Sequence, residues 1–220
     1  MPPAWSLAAA FIGYLLGALP FGYVVARAHG VDIFKEGSGN PGATNVKRVL
    51  GEKFGAKGKR AGNLVFALDA LKGALAAGWP LFSPLAAADA RLLGLVGVIA
   101  AVLGHSYSVF TKFKGGKGVA TAAGGLVVLI PIACLVGAAV WVLTFATTRY
   151  VSLGSVLAAV AVPATSWYRW TQGDNPLAFS VVATALGLFV IVRHRGNIKR
   201  LLAGTEPRFA KKPADDGGSV

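Results

Sequence analysis

The sequence predicts an all-α integral membrane protein, a single bundle of seven transmembrane helices with three functional segments on one side. Three observations carry that prediction. Of 220 residues, 55% are hydrophobic and 14% charged, whereas a soluble domain of this length carries about a quarter charged residues. Apolar runs recur at about the 20 residues a helix needs to cross a bilayer. Basic residues gather in the segments between alternate runs, as the positive-inside rule requires.

The runs in order are Ala4–Ala28, Leu64–Leu85, Leu92–Phe110, a long stretch from Val119 to Thr148, Val151–Trp167 and Leu177–Val192. Asp69 and Lys72 interrupt the second. The stretch from Val119 is too long for one comfortable crossing and contains Pro131. Proline cannot continue a helix without losing a hydrogen bond, so the stretch reads as Val119–Ile130 followed by Ile132–Thr148. Charge supports the split. With seven crossings and the N-terminus outside, segments 27–60, 111–118, 149–150 and 193–220 all face the cytoplasm and hold 19 of the 22 Lys and Arg residues. Six crossings would put a basic segment outside. Residues 1–210 then form one membrane domain, and 211–220 a short disordered cytoplasmic tail.

The formal net charge of +13 would point to nucleic acid in a soluble protein. Here loop charge and an anionic leaflet account for it, and no nucleic-acid partner is expected. Cys134 is the only cysteine and reads as a packing residue. His29, His105 and His194 lie far apart with no cysteine partners, so no metal site is expected. The first apolar run has no basic stretch before it, which argues against a cleaved signal peptide.

Three inside segments carry more than loop chemistry. In EGSGNPGATNVKR, residues 36–48, Gly37 and Gly39 let the backbone bend and present N–H groups to an anion. Ser38, Asn40, Thr44 and Asn45 add neutral donors, and Arg48 adds a planar bidentate one. In FKGGKGVAT, residues 113–121, Gly115, Gly116 and Gly118 open a helix at Val119 beside Lys112, Lys114 and Lys117. The run fails the nucleotide P-loop pattern, because Gly116-Lys117 is followed by Gly118 and no strand precedes it. A glycine-rich turn at a helix N-terminus with lysines around it still suits phosphate. In HRGNIKRLLAGTEPRF, residues 194–209, His194 and Asn197 share a helical face, and Gly204 ends the short helix. Arg193, Arg195 and Lys199 read as a juxtamembrane charge stop, and Glu206 as an ion-pair partner that locks the segment. Within the membrane, Asp69 and Lys72 at i, i+3 must pair or face a cavity. His105 ends the third run, either at the site or as a helix cap.

Together these segments resemble the acyl-phosphate-dependent glycerol-3-phosphate acyltransferases of bacterial membranes, the PlsY family. The resemblance rests on GSGNPGATN at 37–45 with Arg48, LDALKG at 68–73, GH at 104–105 with FKGGKGVAT, RYVSLGS at 149–155 and HRGNIKRLLAGTE at 194–206, in the family's order. It implies transfer of a fatty acyl group from acyl phosphate to the 1-hydroxyl of sn-glycerol 3-phosphate, giving lysophosphatidate and inorganic phosphate. This is the first step of membrane phospholipid synthesis. It implies a multi-pass protein of the bacterial inner membrane with a cytoplasmic active site, no cofactor or metal, and an upstream enzyme that forms the acyl phosphate. By position it makes Ser38, Arg48, His194 and Asn197 catalytic. It places Gly37, Gly39, Asn40, Thr44, Asn45, Lys72, His105, Lys112, Lys114, Gly115, Gly116, Lys117 and Gly118 at the substrates, and gives Asp69 and Glu206 structural roles. Two positions depart from the family: Phe34 stands where Arg is common, with Lys35 beside it to compensate, and Ser108 stands where Pro is common.

An acyl phosphate is already activated, so positioning and charge stabilisation are what the enzyme must supply. No Ser-His-Asp set can be assigned, and direct attack by the glycerol hydroxyl is expected, with a substrate phosphate oxygen or His194 as base. A transporter for a phosphorylated solute shares the cationic inner face, but it requires polar residues along several spans, and few stand beyond Asp69 and Lys72. A purely structural membrane protein leaves the Asn-rich and Gly-Lys segments unexplained.

Overall fold

A computed structural model describes residues 3–209, and the expected tail at 211–220 lies outside them. Among the described residues the secondary structure is helical, without strands. Nine α-helices follow in order: α1 Pro3–Ala18, α2 Phe21–Ala28, α3 Ala43–Gly78, α4 Ala87–Ser106, α5 Val119–Leu129, α6 Pro131–Thr148, α7 Val151–Thr171, α8 Leu177–Arg193 and α9 Arg195–Leu202.

The first apolar run breaks at Leu19-Pro20, where proline has no N–H to continue the ladder. Lys72 Nζ donates to the freed Leu19 carbonyl at 2.8 Å. α1 packs along α4 through small residues: Cβ atoms at Gly13 and Gly17 would overlap the backbone of Gly97 and Ala101. Such four-residue glycine spacing lets helix backbones approach closely in lipid.

α3 is a hairpin rather than one rod. Gly55 adopts φ +55°, ψ −129°, a conformation that glycine tolerates and L-residues avoid. Beyond it the chain folds back, so that Gly58 abuts the Leu50 carbonyl and Gly62 abuts Lys47. Val46, Val49 and Leu50 of the first arm and Val65 of the second close a buried cluster with Ala26, Val31 and Ile33. The membrane arm therefore starts near residue 56, ahead of the expected Leu64, because its opening lysines stay exposed while their helix continues. The third run also starts early, at Ala87. Asp89 lies in the first turn of α4, where a carboxylate favours the helix dipole, and Arg91 donates to the Leu129 carbonyl at 3.1 Å.

The break at Pro131 is where the sequence placed it, with Ile130 leaving helical geometry at φ −136°, ψ 63°. Among the described residues five segments are long and apolar enough to cross a membrane, or six if α8 and α9, bent by 58°, count as one. α5, with 11 residues, reaches about 16 Å against a hydrocarbon core of about 30 Å. The protein is a multi-pass helical membrane protein. Its main core packs α4, α5 and α8 around Val98, Val102, Leu126, Phe179 and Leu186.

Candidate active site

The segment before α3 is folded by one side chain. Asn45, 4% exposed, donates from Nδ2 to the Glu36 carbonyl at 3.0 Å and accepts the Ser38 N–H on Oδ1 at 3.0 Å. Asn40 Oδ1 accepts the Gly42 N–H at 2.8 Å. Gly37 and Gly39 supply φ values of +58° and +67°. Asn45 thus builds the loop, with one amide N–H and one lone pair on Oδ1 committed to it. Thr44, half-buried, stands outside both cavities described below, whereas Ser38 and Asn40 line the larger one.

The Gly-Lys loop is braced against α4. The Gly116 N–H donates to the His105 carbonyl at 3.1 Å. Arg193 Nη2 donates to the carbonyls of Gly115 and Gly116 at 3.1 and 2.8 Å. A Cβ at Gly115 would overlap the His105 carbonyl, and one at Gly116 the His105 ring. Gly115 and Gly116 are thus glycines that close packing against His105 requires. Gly118, at φ +81°, caps α5. Lys112 is exposed at φ +52° and lines neither cavity.

Behind this loop lies a cavity of about 20 Å³ lined by Asp69, Lys72, His105, Ser108, Lys114 and Gly115, among others, room for about one water. Lys72 Nζ pairs with Asp69 Oδ1 at 2.8 Å, and His105 Nδ1 lies 3.5 Å from the same oxygen. Lys72, His105 and Lys114, expected at the substrates, line this small cavity and not the larger one.

The larger cavity, about 250 Å³, is lined by Ser38, Asn40, Lys117, Arg193, Arg195, Gly196, Asn197 and Arg200. Four of these are cations and none is an acid. At its floor Lys117 Nζ donates to Asn197 Oδ1 at 2.5 Å, Asn197 Nδ2 to Glu206 Oε1 at 2.6 Å, and Arg200 Nε to Glu206 Oε2 at 2.8 Å. Glu206 is the locking ion-pair partner the sequence suggested. Burial raises its pKa, but polar contacts with Ser152, Asn197 and Arg200 outweigh that and hold it below the ordinary carboxyl value. Burial lowers the Lys117 pKa to about 8; Glu206 opposes that shift, while Arg200, Arg193 and Arg48 add to it. Among the described residues no three His, Cys, Asp or Glu side chains gather as a metal site.

His194 sits behind this wall, 3% exposed. Its Nδ1 lies 2.8 Å from the Val190 carbonyl, which can only accept, so Nδ1 carries the proton. Burial, then the charge of Lys117, lowers its pKa to about 4. Arg48 does not line the cavity; its guanidinium lies 5.4 Å from the Phe209 ring centroid. Arg193, Arg195 and Arg200 are the cleft residues that the sequence reading left as charge stops or neighbours. For Arg200 the signal was its spacing from Asn197 at i, i+3 on the short helix α9; Arg193 and Arg195 carried none. Phe34 packs on Tyr23 with centroids 5.7 Å apart. Lys35 is 83% exposed and faces Asp32 at 3.8 Å, so it does not replace an arginine in the cleft. Ser108 Oγ donates to the Ala18 carbonyl at 2.6 Å, tying the end of α4 to that of α1.

Comparison with known proteins places the chain in a family. The family profile "Glycerol-3-phosphate acyltransferase" matches residues 7–204. A glycerol-3-phosphate acyltransferase of Synechococcus sp. (strain JA-3-3Ab) is 44% identical over 215 residues, covering 96% of this chain and 97% of the relative. Two crystal structures of PlsY, an integral membrane glycerol 3-phosphate acyltransferase, are each 42% identical to it. The glycerol 3-phosphate form superposes with a TM-score of 0.81 over 93% of this chain and 96% of that one. The lysophosphatidic acid form gives 0.78 over 93% and 95%. With its helical membrane fold and its cationic cleft, this chain belongs to the glycerol-3-phosphate acyltransferase family and is an integral membrane acyltransferase.

Proposed function

We propose that the protein transfers a fatty acyl group from acyl phosphate to the 1-hydroxyl of sn-glycerol 3-phosphate, releasing lysophosphatidate and inorganic phosphate. The observation that carries this reading is the larger cavity: its lining holds four cations and no acid, and Lys117 is bonded there to Asn197, which Glu206 holds from outside the lining. Both substrates bear phosphate, and such a cleft neutralises two anions while the acyl chain lies among the apolar helices. The two PlsY structures, one a glycerol 3-phosphate form and the other a lysophosphatidic acid form, support a substrate and a product of this kind.

In the proposed step the glycerol hydroxyl oxygen attacks the acyl carbonyl carbon, the C–O bond to phosphorus breaks, and phosphate leaves with that electron pair. The hydroxyl proton goes to a phosphate oxygen. A phosphate monoester has a second pKa of about 6, whereas His194 is held near 4, so the substrate is the stronger base of the two. Ser38, Arg48 and Asn197 orient the phosphates, and Lys117 supplies the nearest point charge. Neutral His194 shapes the wall behind them. No acyl-enzyme forms.

The finer topology belongs to the same proposal. The protein lies in the bacterial inner membrane as one acyltransferase domain, with seven crossings counting the short α5, the N-terminus outside and the cleft facing the cytoplasm. Placing 19 of 22 basic residues inside supports it. An upstream enzyme that forms acyl phosphate supplies the donor.

The test uses purified protein in lipid nanodiscs with glycerol 3-phosphate and either palmitoyl phosphate or palmitoyl-CoA. Lysophosphatidate and phosphate are expected in equal amounts from palmitoyl phosphate alone, with the intact protein mass unchanged during turnover. Product from palmitoyl-CoA would refute the donor, and an acyl group trapped on Ser38 would refute direct attack.

A further inference from the structure

The chain beyond α9 crosses from that helix to the turn between α6 and α7. Gly204, at φ +69°, turns it out of the helix, and Glu206 is buried against Asn197 and Arg200. Arg208 then lies 4.7 Å from the Tyr150 ring centroid. The Phe209 N–H donates to the Arg149 carbonyl at 3.1 Å, and its ring meets Phe145 edge-on at 6.1 Å. Arg149 itself takes a left-handed φ of +64°. The turn that receives this strap opens the RYVSLGS stretch, to which the reaction assigns no role.

The Phe209 ring also carries Arg48, at 5.4 Å. Among the described residues no ion pair holds that guanidinium, although it is near enough to Lys117 to act on its charge. A free arginine side chain loses rotamer entropy when fixed, and an aromatic face offsets part of that. We propose that Phe209 is a positioning residue for Arg48. The strap, anchored on Arg149 and Tyr150, sets the ring, and the ring holds the guanidinium toward the phosphates bound beside Lys117. This rests on the reading of Arg48 as a phosphate-orienting residue.

The test compares Phe209→Leu, Phe209→Tyr and Arg48→Ala in nanodiscs, reading kcat/KM for glycerol 3-phosphate together with the thermal unfolding midpoint. Leucine keeps the apolar contact with Phe145 and removes the π face; tyrosine keeps both. The expected result is a fall of roughly 3- to 30-fold in Phe209→Leu at an unchanged midpoint, restored in Phe209→Tyr, with a far larger loss in Arg48→Ala. Full activity in Phe209→Leu beside an inactive Arg48→Ala would overturn the positioning role and leave the site reading intact. A loss in Phe209→Leu that tracks a lowered midpoint would reduce Phe209 to a packing residue. Near-normal activity in Arg48→Ala would instead overturn the site reading on which the inference stands.

Discussion

Lys117 donates a 2.5 Å hydrogen bond to Asn197 across 80 residues of sequence, and that bond joins the Gly-Lys loop to the short helix after α8. The lysine is half-desolvated among three arginines, which is why its pKa falls to about 8. It is an ammonium at neutral pH and loses that charge within reach of an ordinary assay.

The pH dependence follows in sign. Because the cleft needs the charged form, kcat/KM for glycerol 3-phosphate is expected to hold up to about pH 8 and then fall roughly tenfold per pH unit, since kcat/KM reports groups of the free enzyme. Lys117→Arg, which stays charged, is expected to abolish that alkaline limb even if its lower plateau reports poorer geometry. A profile flat to pH 9.5 in the wild type would detach Lys117 from binding.

Glu206 is expected to act on stability first. Removing one member of a buried charged network leaves its partners unpaired, and with Arg200 40% exposed the cost of Glu206→Ala is about 2 kcal/mol. For a chain of this size that is a drop of about 4–8 °C in thermal midpoint. The fold lowers this carboxyl's pKa, so its contribution is complete above the ordinary value of 4.5 and fades as pH falls through the lower folded value. The midpoint difference between wild type and Glu206→Gln should therefore be constant from pH 7 to pH 5.

Much of this was legible in the sequence. Apolar length and Pro131 marked the membrane helices. Other features were not. Gly55 is one of four glycines in a polar stretch, residues 51–62, so hydropathy alone gave no sign of the α3 hairpin. Gly115 and Gly116 look in sequence like an anion cradle, yet their lack of Cβ serves contact with His105, a neighbour that only the fold supplies. Arg193 and Arg195 were masked by a generic reason for basic residues at a membrane edge.

The close packing at Gly115 has its own test. A Cβ there would meet backbone rather than a movable side-chain end, and such overpacking costs about 1–3 kcal/mol and shifts the loop. Gly115→Ala is expected to lose at least about tenfold in activity. Gly78→Ala, whose Cβ would meet only Val128 at 3.8 Å, should behave as wild type. Activity measured on both after matched purification checks the contrast.

Asp69 and Lys72, 4% and 3% exposed and 2.8 Å apart, predict strong coupling. Asp69→Leu alone leaves a buried ammonium and should cost about 3 kcal/mol. Asp69→Leu with Lys72→Leu should cost less than the sum of the two single changes, the residue of the loss being the Leu19 carbonyl that Lys72 no longer reaches. Thermal midpoints of the four proteins in one detergent give the coupling energy.

The central claim, that the cationic cleft closed by Lys117 and Asn197 holds the phosphate of glycerol 3-phosphate, is tested most directly by equilibrium binding. Titration of glycerol 3-phosphate into wild type and Lys117→Met in nanodiscs at pH 7, with the fold of each verified by its thermal midpoint, separates binding from chemistry. The account predicts saturable binding to the wild type and a loss of about 100-fold in the variant, the effect of deleting a charged hydrogen-bond donor from a buried site. Equal affinity in the two folded proteins would contradict it.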